Sequence, residues 1–232
     1  MMIGPLLVTV LAIACAPAAT SPATPVLQED FERQAVGKPP AGWTAFLGTR
    51  PAARIVAGGA GGSSKCLKVT RSDDGRLVAI NVALPKAQDR ILVEFSFAFS
   101  PGAGRSLNVW SHEPNSRDAS QINIAIQQDQ LQQYDGRRRT WRGFSDKVQP
   151  SPNPKRPVWH RLRIVADRKS PAIDFYVSAP GKAELPAKPT ATMHAYRTGL
   201  AFASLSFASG RRIAPGAWYL IDNLVVDSPR RG

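Results

Sequence analysis

The chain has 232 residues, of which 43% are hydrophobic, and its 30 Lys and Arg against 17 Asp and Glu give a formal charge of +13. This hydrophobic content excludes wholesale disorder, and the length fits one β-sandwich or barrel domain rather than two. The basic excess can attract a polyanionic partner such as an acidic polysaccharide or an anionic surface, and a solvated basic surface without a particular partner is the alternative. Nucleic acid is not expected as a partner, because the N-terminus predicts export.

The N-terminus carries an apolar run from Leu6 to Ala14 that is followed by small residues and proline. Such a run is typical of a secretory signal peptide, and it is shorter than the roughly 20 apolar residues of a membrane-spanning helix. We therefore predict a signal peptide over residues 1–18 and an exported protein, located in the periplasm, at the cell surface or outside the cell.

Cys15 leaves a second interpretation of the N-terminus open. The segment 11–15 (LAIAC) resembles a bacterial lipobox, in which the cysteine becomes the lipidated first residue. Membrane attachment is expected only in that case, and a plain cleaved signal peptide is the alternative.

After signal cleavage we expect a Pro/Ala/Thr linker over residues 19–25 and one folded domain over residues 26–228. Cys66 is then the one remaining cysteine, so no intramolecular disulfide is expected, and its alternating surroundings predict a small buried side chain. We expect a monomer.

The folded part alternates between short strands and turns rich in Gly, Pro and Ser. Residues 90–100 give the clearest strand, in which five apolar residues from Ile91 to Phe99 occupy every second position. Such alternation buries one face and is typical of antiparallel sheets. Further strands are predicted near 27–32, 43–47, 53–57, 65–71, 76–83, 107–110, 121–127, 140–145, 161–164, 173–177, 200–208 and 217–227. Many short strands without a helical period indicate an all-β sandwich or barrel.

Three segments carry a family resemblance. The opening EDFE (29–32) with GKPPAGW (37–43), the segment VWHRLRIV (158–165) with IDFYV (173–177), and the closing WYLIDNLV (218–225) resemble the first hairpin, the paired middle strands and the last strand of bacterial secreted concanavalin A-like, laminin-G-like jelly-roll domains. The resemblance implies a two-sheet antiparallel jelly-roll sandwich, a fold that hosts lectins, glycanases, lyases and binding modules alike.

In that architecture a ligand groove lies on the solvent face of one sheet, so the polar sides of the alternating strands are the candidate ligand-binding surface. Amides and charged groups can hydrogen-bond sugars, and aromatic rings can stack on them. If the strands carrying Trp110 and Asn123 pair, they form a polar panel with one aromatic ring; a solvated face without a ligand is the alternative. The candidate groove residues are Arg90, Glu94, Asn108, Trp110, His112, Gln121, Asn123, Gln127, Arg163 and Tyr176.

No catalytic residue is assigned. A glycosidase needs two carboxylates at a set separation, whereas Glu94 stands alone on its predicted strand. The segment Gln121-Ile-Asn123 is similar to the Gln-Ile-His element of jelly-roll alginate lyases, but Asn123 replaces the histidine that would move the proton. The chain thus leans towards a non-enzymatic role.

The resemblance also implies one structural calcium ion that ties the first strand to the last. Glu29, Asp30, Glu32 and Asp222 are the candidate ligands, because the termini of this fold lie side by side and calcium prefers oxygen ligands. The alternative is that Asp222 and Asn223 cap hydrogen bonds where strands cross.

A basic segment, Arg137-Arg138-Arg139, follows Gly136 in a predicted hairpin turn. It can contact a polyanion, and a solvated turn explains it equally well. Together these features predict a secreted carbohydrate-binding or surface-interaction module that prefers acidic polysaccharide. The alternatives are a polysaccharide lyase or glycan hydrolase of the same fold, and a structural protein of the cell envelope.

Overall fold

The computed structural model describes residues 25–47, 53–70, 78–101, 108–112, 120–127, 129–145, 148–153, 155–209, 214 and 216–229. The predicted signal peptide with Cys15, and all of the predicted linker except Pro25, lie outside these residues. None of the described segments forms a helix of the length and apolarity that crossing a membrane requires.

Fifteen strands and one short 3₁₀ turn at Ala60–Gly62 make up the regular structure of the described residues. The strands are β1 Leu27–Glu29, β2 Thr44–Leu47, β3 Ala53–Ala57, β4 Lys65–Thr70, β5 Val78–Gln88, β6 Arg90–Phe99, β7 Asn108–His112, β8 Ser120–Gln127, β9 Gln130–Asp135, β10 Thr140–Ser145, β11 His160–Asp167, β12 Ala172–Val177, β13 Ala191–His194, β14 Phe202–Ser209 and β15 Trp218–Asp227.

The strands form two antiparallel sheets, which confirms the predicted all-β sandwich. Sheet A has the order β13-β12-β11-β6-β15-β4-β3, with β1 also paired to β15, and sheet B has the order β10-β9-β8-β7-β14-β5-β2. Among the described residues, six of the thirteen strand pairs join consecutive strands and seven join strands farther apart in sequence, such as β6 and β15. Both pairing edges of the longest described strands, β5, β6 and β15, are therefore formed by tertiary pairing rather than by local hairpins.

The core lies between the two sheets and is built from the alternating side of each strand. Phe95, Phe97 and Phe99 of β6 are fully buried, as the period-two pattern predicts, and Phe95 packs edge-to-face on Phe207 of sheet B with ring centroids 5.5 Å apart. Edge-to-face aromatic pairs stabilise a core beyond the burial of their area.

The opening segment closes one side of this core. Phe31 is fully buried in a left-handed backbone conformation (φ 61°), and the Glu29 side chain accepts a hydrogen bond from its N–H at 2.8 Å. The Phe31 ring lies 5.7 Å from Trp43, which in turn stacks on Phe207 at 5.8 Å. The chain therefore turns away after Glu29, and β1 ends there rather than at the predicted residue 32.

The last strand changes partner in mid-course. Residues 218–221 of β15 pair with β4, residues 224–226 pair with β1, and a bulge separates the two at Asp222 and Asn223. Asn223 has φ 50°, a conformation that Asn adopts more readily than most residues. Asp222 is fully buried at this bulge and accepts hydrogen bonds from the Ala60 and Asn223 N–H groups, both at 2.7 Å.

Two strands, β9 and β13, have no counterpart in the sequence prediction. The β9 segment reads QLQQYD and carries one aliphatic residue, Leu131, so its period-two signal is weak. Its inward Gln133 is nevertheless fully buried, because its amide bonds the Tyr134 carbonyl at 3.0 Å and the Asn123 N–H at 3.3 Å. Satisfied amides can occupy positions where a hydrophobic pattern expects aliphatic residues.

His160 begins β11 and is 1% exposed, with its ring stacked on Phe97 at 5.2 Å. Its Nε2 atom lies 3.0 Å from the Gln149 N–H that donates to it. Burial lowers the pKa of His160 below its ordinary value, so the folded protein holds the ring neutral while the unfolded chain protonates near pH 6.5. Folding stability contributed by this residue is thus present above that pH and lost as the pH falls.

We predict that wild type loses more free energy of unfolding than His160→Gln when the pH falls from about 7.5 to about 5.5, near the ordinary histidine pKa. Urea denaturation of both proteins at several pH values measures the difference. Other groups that titrate in this range are present in both proteins and cancel. A stability difference that stays constant with pH would contradict the prediction.

Candidate functional site

The ten candidate groove residues divide between the two sheets and do not share one face. Six lie on the adjacent strands β7 and β8 of sheet B, and four lie on β6, β11 and β12 of sheet A. The two sheets enclose the core between them, so their polar faces point in opposite directions. The single groove that the sequence analysis assembled is therefore corrected to two separate outer faces.

The sheet A members are engaged with one another. Glu94 is 7% exposed and forms ion pairs with Arg161 and with Arg163, the latter at 2.6 Å. The Arg163 guanidinium lies 5.9 Å from the centre of the Tyr176 ring, and Arg90 pairs with Asp167 at 3.4 Å. Two guanidinium groups thus hold the Glu94 carboxylate in place on this face.

On sheet B the two polar strands considered in the sequence analysis do pair. β7 and β8 are antiparallel neighbours, with Trp110 opposite Asn123, Asn108 opposite Ala125 and His112 opposite Ser120. The side chains of Asn108, Trp110 and His112 lie outside the described part of the structure, so these three are placed by backbone register alone.

Gln121 is covered rather than open to a groove. It is 1% exposed, and its side-chain amide donates to the Leu200 carbonyl of the segment that crosses from β13 to β14. Tyr196 belongs to the same segment, and its N–H donates to the Gln121 carbonyl at 3.0 Å. Asn123 and Gln127, further along β8, remain half-buried.

An aromatic group that the sequence analysis did not select lies next to these amides. Tyr134 and Trp141 face each other across the β9–β10 hairpin, with ring centroids 5.7 Å apart at 79°. The ring of Tyr196 lies 5.0 Å from Tyr134 at 90°. Leu131 pairs with Ile126 and is fully buried, so Tyr134, three positions later, lies on the outer face.

We call Tyr134, Trp141 and Tyr196 the sheet B panel. All three rings are half-buried, and the Arg197 guanidinium lies 5.5 Å from the centre of the Tyr196 ring. The signal in the sequence is the placement of Tyr134 and Trp141 near the two ends of the GRRR turn, since residues flanking a hairpin turn form cross-strand pairs.

The basic segment lies in the β9–β10 turn, as predicted. Asp135 is 1% exposed and accepts hydrogen bonds from the Arg137 N–H at 2.9 Å and the Arg138 N–H at 3.1 Å. Burial opposes ionisation of Asp135, but these N–H groups and the Arg142 guanidinium hold its pKa below the ordinary value. The side chains of Arg137, Arg138 and Arg139 are exposed, so polyanion contact there stays a prediction.

The four predicted calcium ligands separate into two pairs. Glu29 and Asp30 bond within their own turn, to the Phe31 N–H and the Glu32 N–H. Glu32 instead accepts hydrogen bonds from the Ser63 hydroxyl at 2.6 Å and the Ser64 N–H at 2.7 Å. The hydroxyls of Ser63 and Ser64 lower the pKa of Glu32 to about 2.

Glu32 and Asp222 approach the same loop, residues 58–65. A Cβ at Gly59 would lie 2.5 Å from both the Asp222 Oδ2 and the Ser63 Oγ atoms and 2.7 Å from the Lys65 carbonyl oxygen, so three oxygens converge where only glycine fits. Burial raises the pKa of Asp222 to about 6. Within the described residues no three His, Cys, Asp or Glu side chains gather in a metal-holding group.

No family model matches the chain, and no curated protein matches it by sequence. Among solved structures, a sialidase superposes on 88% of the chain with a TM-score of 0.62 and 13% identity, and the chain spans 19% of that protein. Cellulose-induced protein Cip1 matches 89% of the chain and 99% of its own length, with a TM-score of 0.55 and 10% identity.

The description of a third similar structure states that prominent members of the human gut microbiota express endo-acting O-glycanases to initiate mucin breakdown. This structure matches 89% of the chain and 100% of its own length, with a TM-score of 0.53 and 12% identity. At these identities the three structures establish the β-sandwich fold that the chain shares with them.

Proposed function

We propose that the protein is an exported glycan-binding module whose ligand lies on the outer face of sheet B. The sheet B panel carries this proposal, since half-buried rings in edge-to-face contact present flat apolar surfaces without collapsing into the core. Asn123 and Gln127 stand on the outer face of β8, where amides can bond sugar hydroxyls.

Two further observations support the proposal. The similar solved structures include proteins described as a sialidase, as cellulose-induced and with mucin O-glycanases, each named for a carbohydrate or an enzyme that acts on one. Arg197 beside the panel and the charge of +13 favour sugars with acidic groups.

We propose a binding rather than a catalytic role. Retaining glycosidases place two carboxyl groups about 5 Å apart and inverting ones place them further apart with room for water, whereas Glu94 is enclosed by Arg161 and Arg163. Release of reducing or unsaturated sugar ends from a bound glycan would contradict this part of the proposal.

Replacing Tyr134 by Ala is expected to weaken glycan binding roughly fivefold to tenfold, because the sugar loses one ring of the panel and Trp141 loses its partner. A glycan array selects the ligand, and isothermal titration calorimetry measures the dissociation constant.

Tyr176→Ala is the matched control for that prediction. It removes the same ring from the outer face of sheet A, where Tyr176 is half-buried beside Arg163. Binding that is lost in Tyr176→Ala and kept in Tyr134→Ala would place the ligand on sheet A and contradict the proposed face.

We also propose that calcium stabilises the fold through Glu32, Asp222, the Ser63 hydroxyl and the Lys65 carbonyl. The Asp222, Ser63 and Lys65 oxygens converge at Gly59, and Glu32 accepts a hydrogen bond from the same Ser63 hydroxyl. Within the described residues no cationic side chain pairs with the buried Asp222. A bound cation there would offset the charge of Asp222 and hold the β3–β4 loop against the bulge of β15.

We predict that excess EGTA lowers the melting temperature and that added calcium restores it, because a ligand that binds only the folded state stabilises it. Differential scanning calorimetry measures both. Asp222→Asn is the control, since it removes a ligand charge and should abolish the response to calcium. A wild-type melting temperature that EGTA leaves unchanged would contradict the proposal.

A further inference from the structure

The outer face of sheet A carries a second apolar cluster that is separate from the core. Cys66, Ala98, Trp218 and Leu220 are at most 6% exposed although they occupy the side of the sheet that faces away from sheet B. Val56 and Trp159 pack on this cluster from outside. Burial is the main cause that raises the pKa of the Cys66 thiol to about 12, so Cys66 is an inert part of this surface.

Two hydrogen bonds hold the backbone around Trp159 in place over this face. The Gly181 N–H donates to the Trp159 carbonyl at 2.8 Å, and the Val158 N–H donates to the Ser151 hydroxyl, also at 2.8 Å. The ring is half-buried and borders two open clefts, one of about 670 Å³ and one of about 320 Å³. Clefts of this size are typical of small-molecule and sugar sites.

The lining of both clefts is basic. The smaller cleft contains Lys68 and Lys155, and the larger one contains Arg161 and Lys182. Lys68 lies 5.9 Å from the centre of the Trp218 ring, and burial together with Arg54 lowers its pKa. In the segments that the structure describes, no carboxylate lies within ion-pair distance of Lys68 or Lys155.

We propose that the clefts on the two sides of Trp159 form a second binding site, for a glycan that carries carboxylate or sulfate groups. A sugar ring packs on Trp159, and its acidic group pairs with Lys68 and Lys155. Charge complementarity selects this ligand: Lys68 and Lys155, which have no carboxylate partner among the described residues, lie beside an ordered indole and suit an anion joined to a flat C–H face. This site rests on the proposed glycan-binding function but lies on the opposite face from the sheet B panel.

The test of this site replaces its two lysines, Lys68 and Lys155. We expect Lys68→Gln combined with Lys155→Gln to weaken binding of a galacturonate octamer or a carrageenan octamer roughly tenfold or more, since the acidic group loses both of its charge-assisted partners. The first probe carries only carboxylates and the second only sulfates, so they distinguish the two acidic groups. Binding of either probe by wild type with this loss supports the site.

The matched control is Lys86→Gln combined with Lys169→Gln. It removes the same charge from exposed positions of β5 and of the β11–β12 turn and should leave affinity within about twofold, because solvent screens those groups. Equal losses in the two double variants would reduce the effect to net charge and overturn the site. A loss confined to Arg137→Gln combined with Arg138→Gln would overturn it in favour of the β9–β10 turn.

Four further outcomes separate failure of this site from failure of the proposed function. If wild type binds neutral glycans through the sheet B panel but neither acidic octamer, the second site alone fails. If acidic octamers are lost in Tyr134→Ala and kept in the lysine variant, their site is the panel. A thymidine dodecamer that binds as tightly as the octamers and depends on the same lysines would also overturn it. If no glycan binds at all, the proposed function falls as well.

Folding of the lysine variant is checked by its circular dichroism spectrum and melting curve. Lys155 is exposed, so Lys155→Gln alone keeps the test intact if the Lys68 change unfolds the protein, with a loss of roughly threefold or more expected from one charge-assisted contact. Unchanged affinity in a folded Lys155→Gln variant would contradict its part in the site.

Discussion

The strands of this sandwich bury one face against the opposite sheet, and β6 shows how this decides which side chains lie on the outer face. Its odd positions from Ile91 to Phe99 are fully buried between the sheets, and Phe95 reaches Phe207 across the interface. Because a strand alternates with period two, the same constraint sends Glu94 and Ser96 to the outer side. The polar and aromatic side chains that a ligand can reach are therefore those that core packing places on the outer faces.

The two outer faces differ in chemistry, although both follow from this alternation. Sheet B presents tyrosine and tryptophan rings beside amides on neighbouring strands. Sheet A presents an ion-pair network around Glu94 and, beyond it, an indole with Lys68 and Lys155 nearby. Because the core separates the two faces, the chain presents an aromatic surface and a basic surface without either disturbing the other.

The bulge of β15 is the point where the ends of the domain meet. The strand leaves β4 and joins β1 there, with a register shift between Asp222 and Val225. Asp222 accepts hydrogen bonds from the Asn223 N–H of the bulge and from the Ala60 N–H of the β3–β4 loop, and Glu32 accepts the Ser64 and Lys65 N–H groups of the same loop. Two carboxylates thereby connect the turn after β1, the β3–β4 loop and the last strand.

The sequence by itself determined the fold class, the inward set of β6, β8, β11 and β12, and the hairpin turn at Arg137, because period-two alternation and turn residues are local properties of the chain. It missed β9 and β13, where buried amides or very short length replace the apolar pattern.

Only the tertiary structure decided that Arg90 and Glu94 stand on a different sheet from Asn123, that Gln121 is covered by the segment before β14, and that Tyr134, Trp141 and Tyr196 meet. Alternation tells which side of its own strand a residue occupies. Which strands become neighbours depends on pairings between residues more than a hundred positions apart, such as Ser96 with Asp222, and no local pattern encodes them.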